Sequence, residues 1–364
     1  MLMKTKTIIK DLLRKRLNIT KSRGMMYQAI KYSKLLDVKP LTSAEKAVVR
    51  QQWGEVIDNI SDGYLSYAIF KTADGFNPNY IPREYYHPYI MEALNKRDCM
   101  YVLSDKGMAY TYFKGLNLPK LVIFASKGVI MTASKELLTI EEAAKQLYDS
   151  KKDFIIKIST ESGHGYGVEI IKGTYDVSEI ESILVKFKDD YIVQELVEQS
   201  ESTKVFNPTS LNTIRVFTLY INGRFSVLGA MLKCGAHGQF VDNAFAGSTF
   251  IKINQDGTLA DFGQNYDGEK ISALNGYSFA NHKIANIEGV KKIVEEGHKR
   301  IHLVGLIGWD IALDSNDEPV IIEANLFRPG SLSFQLSNGP MFGDRTQEVI
   351  DYVKRFKNKN RFLY

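Results

Sequence analysis

The sequence predicts an α+β protein with a mostly helical N-terminal region, and three observations carry that reading. Residues 1–60 show amphipathic helical patterning and few strand signals. Residues 121–200 alternate short apolar runs with amphipathic helices, as a compact strand–helix unit does. From residue 204 onward, apolar runs are joined by Asn222-Gly223 and Asp256-Gly257, the strongest short signals for antiparallel hairpins. A chain of 364 residues can bury two or three substantial cores. Three regions follow: a helical 1–100, a smaller lobe at 101–198 and a larger one at 199–364.

Composition narrows the function. No run of eighteen or more apolar residues occurs, so no transmembrane helix is expected. The N-terminus is basic but lacks the apolar core and small-residue cleavage site of a signal peptide. Cys99 and Cys234 show no metal-ligand spacing and are expected to be reduced thiols in a cytoplasmic protein. A net charge of +5 suits an anionic substrate and is too diffuse to argue for nucleic acid.

Along the chain, residues 4–23 set eight Lys and Arg around Ile8, Ile9, Leu12, Leu13 and Leu17. This is a surface helix with its apolar stripe on the core, or a peripheral contact with the inner membrane face. Thr42-Ser-Ala-Glu45 is a capping box opening a second helix. Residues 64–100 read as an aromatic, irregular connecting segment, and Lys106 follows in Ser104-Asp-Lys-Gly107. A strand at 121–125 precedes a helix over 139–148 capped by Thr139. The strand at 154–158 carries Lys157 into Ser159-Thr-Glu-Ser-Gly163-His-Gly165-Tyr-Gly167, a glycine-rich loop that is a plain turn or an anion cradle. Tyr191-Ile-Val-Gln-Glu195-Leu-Val-Glu198 is an ordinary strand end, or a linker offering backbone groups to a purine and carboxylates to a ribose. Strands at 211–221, with Arg215, and at 224–232 follow, then a polar loop over 241–247 and a long helix over 283–304. A helix over 346–356 closes the chain. Asp261-Phe-Gly263 spells a kinase motif without its companions, and no nucleophile triad stands out.

The most informative stretch is 306–331, LIGWDIALDSNDEPVIIEANLFRPGS. Two apolar runs flank a polar 314–319 loop, which predicts a hairpin. Glu323 and Asn325 are two apart and share a strand face, and Asp310 lies about as far before the loop as Glu323 lies after it. Three hard oxygen ligands among apolar neighbours demand a cation, either Mg²⁺ or an ion pair with Arg215 or Arg328.

This order of features resembles the ATP-grasp superfamily, in its sugar-transfer-associated branch, over about residues 75–350. Trp309-Asp310, Glu323-Ala-Asn325 and Arg328-Pro-Gly330 carry most of the resemblance, with Asn212-Thr-Ile-Arg215 and Val241-Asp-Asn243 as further signatures. The resemblance implies two α+β lobes gripping ATP. Lys106 and Lys157 would contact the α- and β-phosphates, and Ser162, Gly163 and Gly165 would close over the β/γ-phosphates as a mobile lid. Gln194 and Glu195, with the backbone of Leu196 and Val197, would hold adenine, and Glu198 or Glu201 the ribose. Asp310, Glu323 and Asn325 would carry two Mg²⁺ ions.

The implied chemistry is amide formation through an acylphosphate, with ADP and phosphate as products. Arg215 would stabilise the transferred phosphoryl group and Arg328 would bind a substrate carboxylate. Lys233, Asn243 and Ser331 are further substrate-side candidates. The branch name implies a uronic acid or other sugar carboxylate of a surface polysaccharide, joined to an amino acid or amine. An amino-acid ligase acting on a peptide end and a non-catalytic nucleotide-binding regulator of polysaccharide assembly are the alternatives. Such proteins usually begin with a Rossmann-like domain. The helical residues 1–100 depart from that pattern and are a candidate acceptor or partner surface.

Overall fold

The computed structural model of the chain describes residues 16–17, 20, 37–95, 97–160, 167–235, 248–265, 269–327 and 329–359. Most of the basic segment 4–23, the loop residues Ser162, Gly163 and Gly165, and Asn243 and Arg328 lie outside the described residues.

The smaller sheet comprises β1 (Leu121–Ser126), β2 (Val129–Thr132), β3 (Leu137–Leu138), β4 (Phe154–Ile158), β5 (Val168–Ile171) and β6 (Tyr191–Glu195). Its order is β3-β2-β1-β6-β4-β5, antiparallel throughout. Two helices cover one face, Ile140–Ser150 and Val177–Phe187, each opened by a capping box, Thr139 with Glu142 and Asp176 with Glu179. Ile123, Ala125, Leu147, Ile156, Leu184 and Val193 form the core between sheet and helices. Strand side chains alternate, so Phe124, Ile155, Lys157, Ile192 and Gln194 are turned to the opposite face.

The larger sheet is built from β7 (Thr213–Ile221), β8 (Arg224–Cys234), β9 (Thr249–Ile253), β10 (Leu259–Asn265) and β11 (Lys270–Ile271). After a small ribbon of β12 (Ala273–Leu274) and β13 (Tyr277–Ser278), it is completed by β14 (Leu306–Leu313) and β15 (Pro319–Asn325). The order β11-β10-β9-β8-β7-β14-β15 places the last hairpin beside β7. Asn222 and Gly223 both take positive φ, 53° and 75°, as the tight turn between β7 and β8 requires. Helix α1 (Ile287–Arg300) lies on one face over Trp309, and a Cβ on Gly297 would come within 2.7 Å of the Trp309 ring. This helix is shorter than the 283–304 pattern predicts, because Asn286, at φ 45°, caps it by accepting from the Gly289 amide.

The opposite face of the large sheet is covered by residues 41–94 and by the C-terminal helices α2 (Leu332–Asn338) and α3 (Thr346–Lys359). Trp53, Phe70, Tyr86, Phe217, Met231, Phe334 and Val353 belong to one continuous core, so the N-terminal helices are part of the large lobe's packing. Residues 64–100 are largely helical rather than irregular. In Tyr64–Asp74 five consecutive residues, Ser66 to Phe70, are buried, which erases the apolar stripe by which a surface helix is read. Among the described residues, no helix is long and apolar enough to cross a membrane.

One residue ties this region to the last hairpin. Asn95, 2% exposed, donates to the carbonyls of Leu306 and Leu326 at 2.7 Å each. Its oxygen accepts from the amides of Gly305 and Leu306 at 3.1 and 2.9 Å. Both ends of the β14–β15 hairpin are thereby held by one side chain. Asn95→Leu strands several buried backbone groups and is expected to cost about 3 kcal/mol or more in urea unfolding. A loss below about 1 kcal/mol would show that the clamp is dispensable.

Candidate active site

The site begins with an irregularity in the hairpin. Asp310 pairs with Glu323, but the next residue, Ile311, pairs with Ile321, leaving Ile322 as an extra residue on β15. Ile311 and Ile321 lie in the core under α1. Regular alternation would place Glu323 on the same side as Ile321. The bulge at Ile322 turns it instead to the face of Asp310. Arg215 on β7 lies directly opposite Asp310, and Lys233 stands one strand further, on β8.

Arg215 grips Asp310 with both arms, Nε to Oδ1 at 2.7 Å and Nη2 to Oδ2 at 2.8 Å. Asn325 Nδ2 adds a third bond to Oδ2 at 3.1 Å. Burial works to raise the Asp310 pKa, but the charges of Arg215 and Lys233 and these hydrogen bonds together hold it below the ordinary carboxylate value.

Across from this face stand two lysines. Lys106 Nζ lies 3.3 Å from Glu323 Oε1. Its loop is pinned to the end of β4, since its amide donates to the Ser159 carbonyl at 2.9 Å and Asp105 accepts from the Ser159 hydroxyl at 3.2 Å. Lys157, on the same strand β4, has its pKa lowered from 10.5 to about 8. Burial is the main cause, Lys106 acts in the same direction and Glu323 partly offsets both. Lys106, Lys157, Ile192, Gln194, Ile322 and Glu323 line a cleft between the sheets with about 470 Å³ of empty space. Gln194 Oε1 and Ser104 Oγ, both on residues lining the cleft, are buried with no hydrogen-bond partner among the described residues.

The other sequence candidates fall outside this cluster. Glu195 follows Gln194 on the strand, so its side chain takes the opposite face, 2.9 Å from Lys120 and 3.4 Å from Lys152. Leu196 and Glu198 are exposed and Val197 is half-buried. Glu201 is exposed and pairs with Lys204. Ser331 is buried at the start of α2, its hydroxyl without a partner among the described residues. Asn212, from the Asn212-Thr-Ile-Arg215 stretch, is a buried hub: its amide donates to Gln199 Oε1 and to the carbonyls of Thr203 and Asn207 at 2.8–3.0 Å. It fixes the chain entering β7 and hence the placement of Arg215. Tyr110, Ser104 and Asp105 are site residues that sequence reasoning missed. Only Asp105, three residues before the amide it caps at Met108, left a readable capping signal.

The donors fit a magnesium ion in chemistry. Asp310 and Glu323 are direct cross-strand neighbours, and each carboxylate has lone pairs beyond those already engaged. Among the described residues, no group of three or more His, Cys, Asp or Glu side chains assembles, so a third protein oxygen would come from the Asn325 amide.

Two antiparallel sheets thus face each other across a cleft with lysines on one wall and carboxylates on the other. Residues 85–351 match the family described as sugar-transfer associated ATP-grasp, and the chain belongs to that family. No curated protein matches the chain in sequence. Among solved structures it resembles the D-alanine–D-alanine ligase from Coxiella burnetii, with 11% identity, TM-score 0.42, and coverage of 72% of this chain and 60% of that one. It also resembles N5-carboxyaminoimidazole synthetase from Staphylococcus aureus complexed with ADP, with 10% identity, TM-score 0.44, and coverage of 70% and 54%. A third is the ATP-grasp ligase PsnB complexed with minimal precursor, with 13% identity, TM-score 0.42, and coverage of 71% and 64%. The chain thus spans less than two thirds of the length of these proteins.

The environment of Lys157 has a direct chemical readout. Its amine is expected to be acylated with a pH midpoint near its lowered value of about 8. Quantitative mass spectrometry of acetic anhydride labelling across pH would show this. A Lys157 midpoint near the ordinary lysine value of 10.5 would contradict the burial of its charge.

Proposed function

We propose that this protein is an Mg²⁺- and ATP-dependent carboxylate–amine ligase that forms an amide through an acylphosphate. The observation that carries the reading is the meeting of Lys106 and Lys157 with Glu323, beside the Arg215–Asp310 pair, in one cleft between two sheets. ATP would lie with its base near Gln194 and Ser104 and its phosphates toward the two lysines. Mg²⁺, held by Asp310, Glu323 and Asn325, would supply charge neutralisation at the phosphates.

The substrate carboxylate oxygen forms a bond to the γ-phosphorus as the bond to the β–γ bridging oxygen breaks, releasing ADP. The amine nitrogen then attacks the acyl carbon, phosphate leaves, and the nitrogen gives up its proton. Neither step needs a side-chain nucleophile, because positioning and fixed charge lower the barrier. Arg215 suits the transferred group for a physical reason: its two hydrogen bonds to Asp310 fix a cation in place before any charge develops. Arg328, Lys233, Asn243 and Ser331 are proposed for the acid and amine.

The family's description as sugar-transfer associated supports a sugar acid, such as a uronic acid of a surface polysaccharide, as the carboxylate and an amino acid as the amine. Uronic acids and nucleotide-linked uronates, crossed with amino acids in the presence of Mg²⁺ and ATP, are expected to yield a pair that releases ADP only when both members are present. Failure of the protein to bind ATP would refute the proposal. In the active combination, Glu323→Ala and Lys157→Ala are each expected to lower ADP formation about a hundredfold or more while leaving the melting transition in place. Full turnover by either variant would remove that residue from the machinery.

A further inference from the structure

Tyr110 stands in the helical turn Ala109–Tyr112 at the wall of the cleft. Its hydroxyl donates to the Pro119 carbonyl at 2.6 Å, and it meets the side-chain amide of Gln194. A phenol has one proton and a carbonyl only accepts, so that proton is committed to Pro119 and only lone pairs are left for Gln194. The amide must then present its Nε2 amino group to Tyr110, because the reversed amide would set two oxygens against each other. Burial pushes the Tyr110 phenol up to about 12, with the Gln194 bond pulling slightly the other way, so the proton stays in place at neutral pH.

The consequence falls on the other end of the amide. Gln194, 3% exposed, offers the cleft its Oε1, an acceptor with no partner among the described residues. Ser104 Oγ nearby also lacks one, but a hydroxyl turns to donate or accept and so does not discriminate. A glutamine free to turn over would likewise serve a donor or an acceptor. Gln194 is not free.

We infer that Tyr110 is a positioning residue that makes the cleft select adenine over guanine nucleotides, by locking the Gln194 amide with its oxygen toward the base. The inference rests on the nucleotide reading of the cleft given above. Adenine carries an amino group on its six-membered ring where guanine carries a carbonyl. The amino group donates to Oε1, whereas the carbonyl meets it oxygen to oxygen. Sites that hydrogen-bond a group reject an analogue that leaves a buried polar atom unpaired.

Calorimetric titration of the full chain with ATP and with GTP, each with Mg²⁺, tests this without knowledge of the acid or the amine. Wild type is expected to bind ATP at least about tenfold more tightly than GTP. Tyr110→Phe keeps the ring but removes the lock, and the ATP/GTP ratio is expected to fall by about fivefold or more, with part of the change a gain for GTP. Gln194→Met, which removes the acceptor while leaving Tyr110 and Pro119 paired, is expected to bring the ratio near one by weakening ATP alone. Equal weakening of both nucleotides in Tyr110→Phe, with the ratio kept, would mean that Tyr110 only packs, and would overturn the inference. A wild-type protein that binds both nucleotides equally would do the same. If wild type binds neither, the nucleotide reading itself falls, and this inference with it.

Discussion

A carboxylate set among apolar strands stays charged only if a cation meets it, and this requirement organises the molecule. Asp310 is 6% exposed, and burial alone would drive its proton affinity up. The neighbouring strand supplies the answer, since β7 pairs with β14 in the register that sets Arg215 opposite Asp310. Removing one partner of such a pair typically costs about 3–5 kcal/mol, because the other charge is left buried and alone. The sheet order β8-β7-β14-β15 is therefore electrostatic as well as topological. It sets Arg215, Asp310 and Glu323 directly opposite one another across β7, β14 and β15, with Lys233 two residues from the position facing Arg215 on β8.

The remaining architecture keeps that line facing a second charged surface. The smaller sheet devotes one face to its helices and the other to Lys157, Ile192 and Gln194. The Lys106 loop is bonded to the end of β4, so both lysines are anchored to the same sheet. On the large side, Asn95 closes the base of the hairpin, and Asn212 fixes the entry to β7. These buried amides are fully engaged on their donor sides, and neither needs to touch a ligand to matter. They set the precision with which the two walls oppose each other, which is what a site working by position and charge requires.

The sequence made the hairpin legible because its signals are local: period-two apolar runs, a polar turn, and oxygen ligands two residues apart. The turn at Asn222-Gly223, the capping box at Thr42 and the N-cap at Thr139 were legible for the same reason. What stayed hidden depends on distant partners. Nothing in 306–331 announces the bulge at Ile322, since it shows only in the register against Asp310 and Ile311. Asn95 reaches bonding partners more than two hundred positions away. Tyr110 looks like any aromatic until Pro119 and Gln194 are placed beside it. The divergence of Glu195 from Gln194 was readable from strand alternation, although the resemblance groups the two together. The helix Tyr64–Asp74 escaped notice as part of the large lobe because the burial of five consecutive residues removes its amphipathic stripe.

The central claim is that one nucleotide is held at once by both walls of the cleft. Hydrogen–deuterium exchange of the full chain, with and without Mg²⁺ and ATP, tests it most directly. The account predicts simultaneous protection of the 104–113 segment, of β4 and β6, and of β15 with its bulge. Protection confined to one sheet, or appearing only away from the cleft, would contradict it.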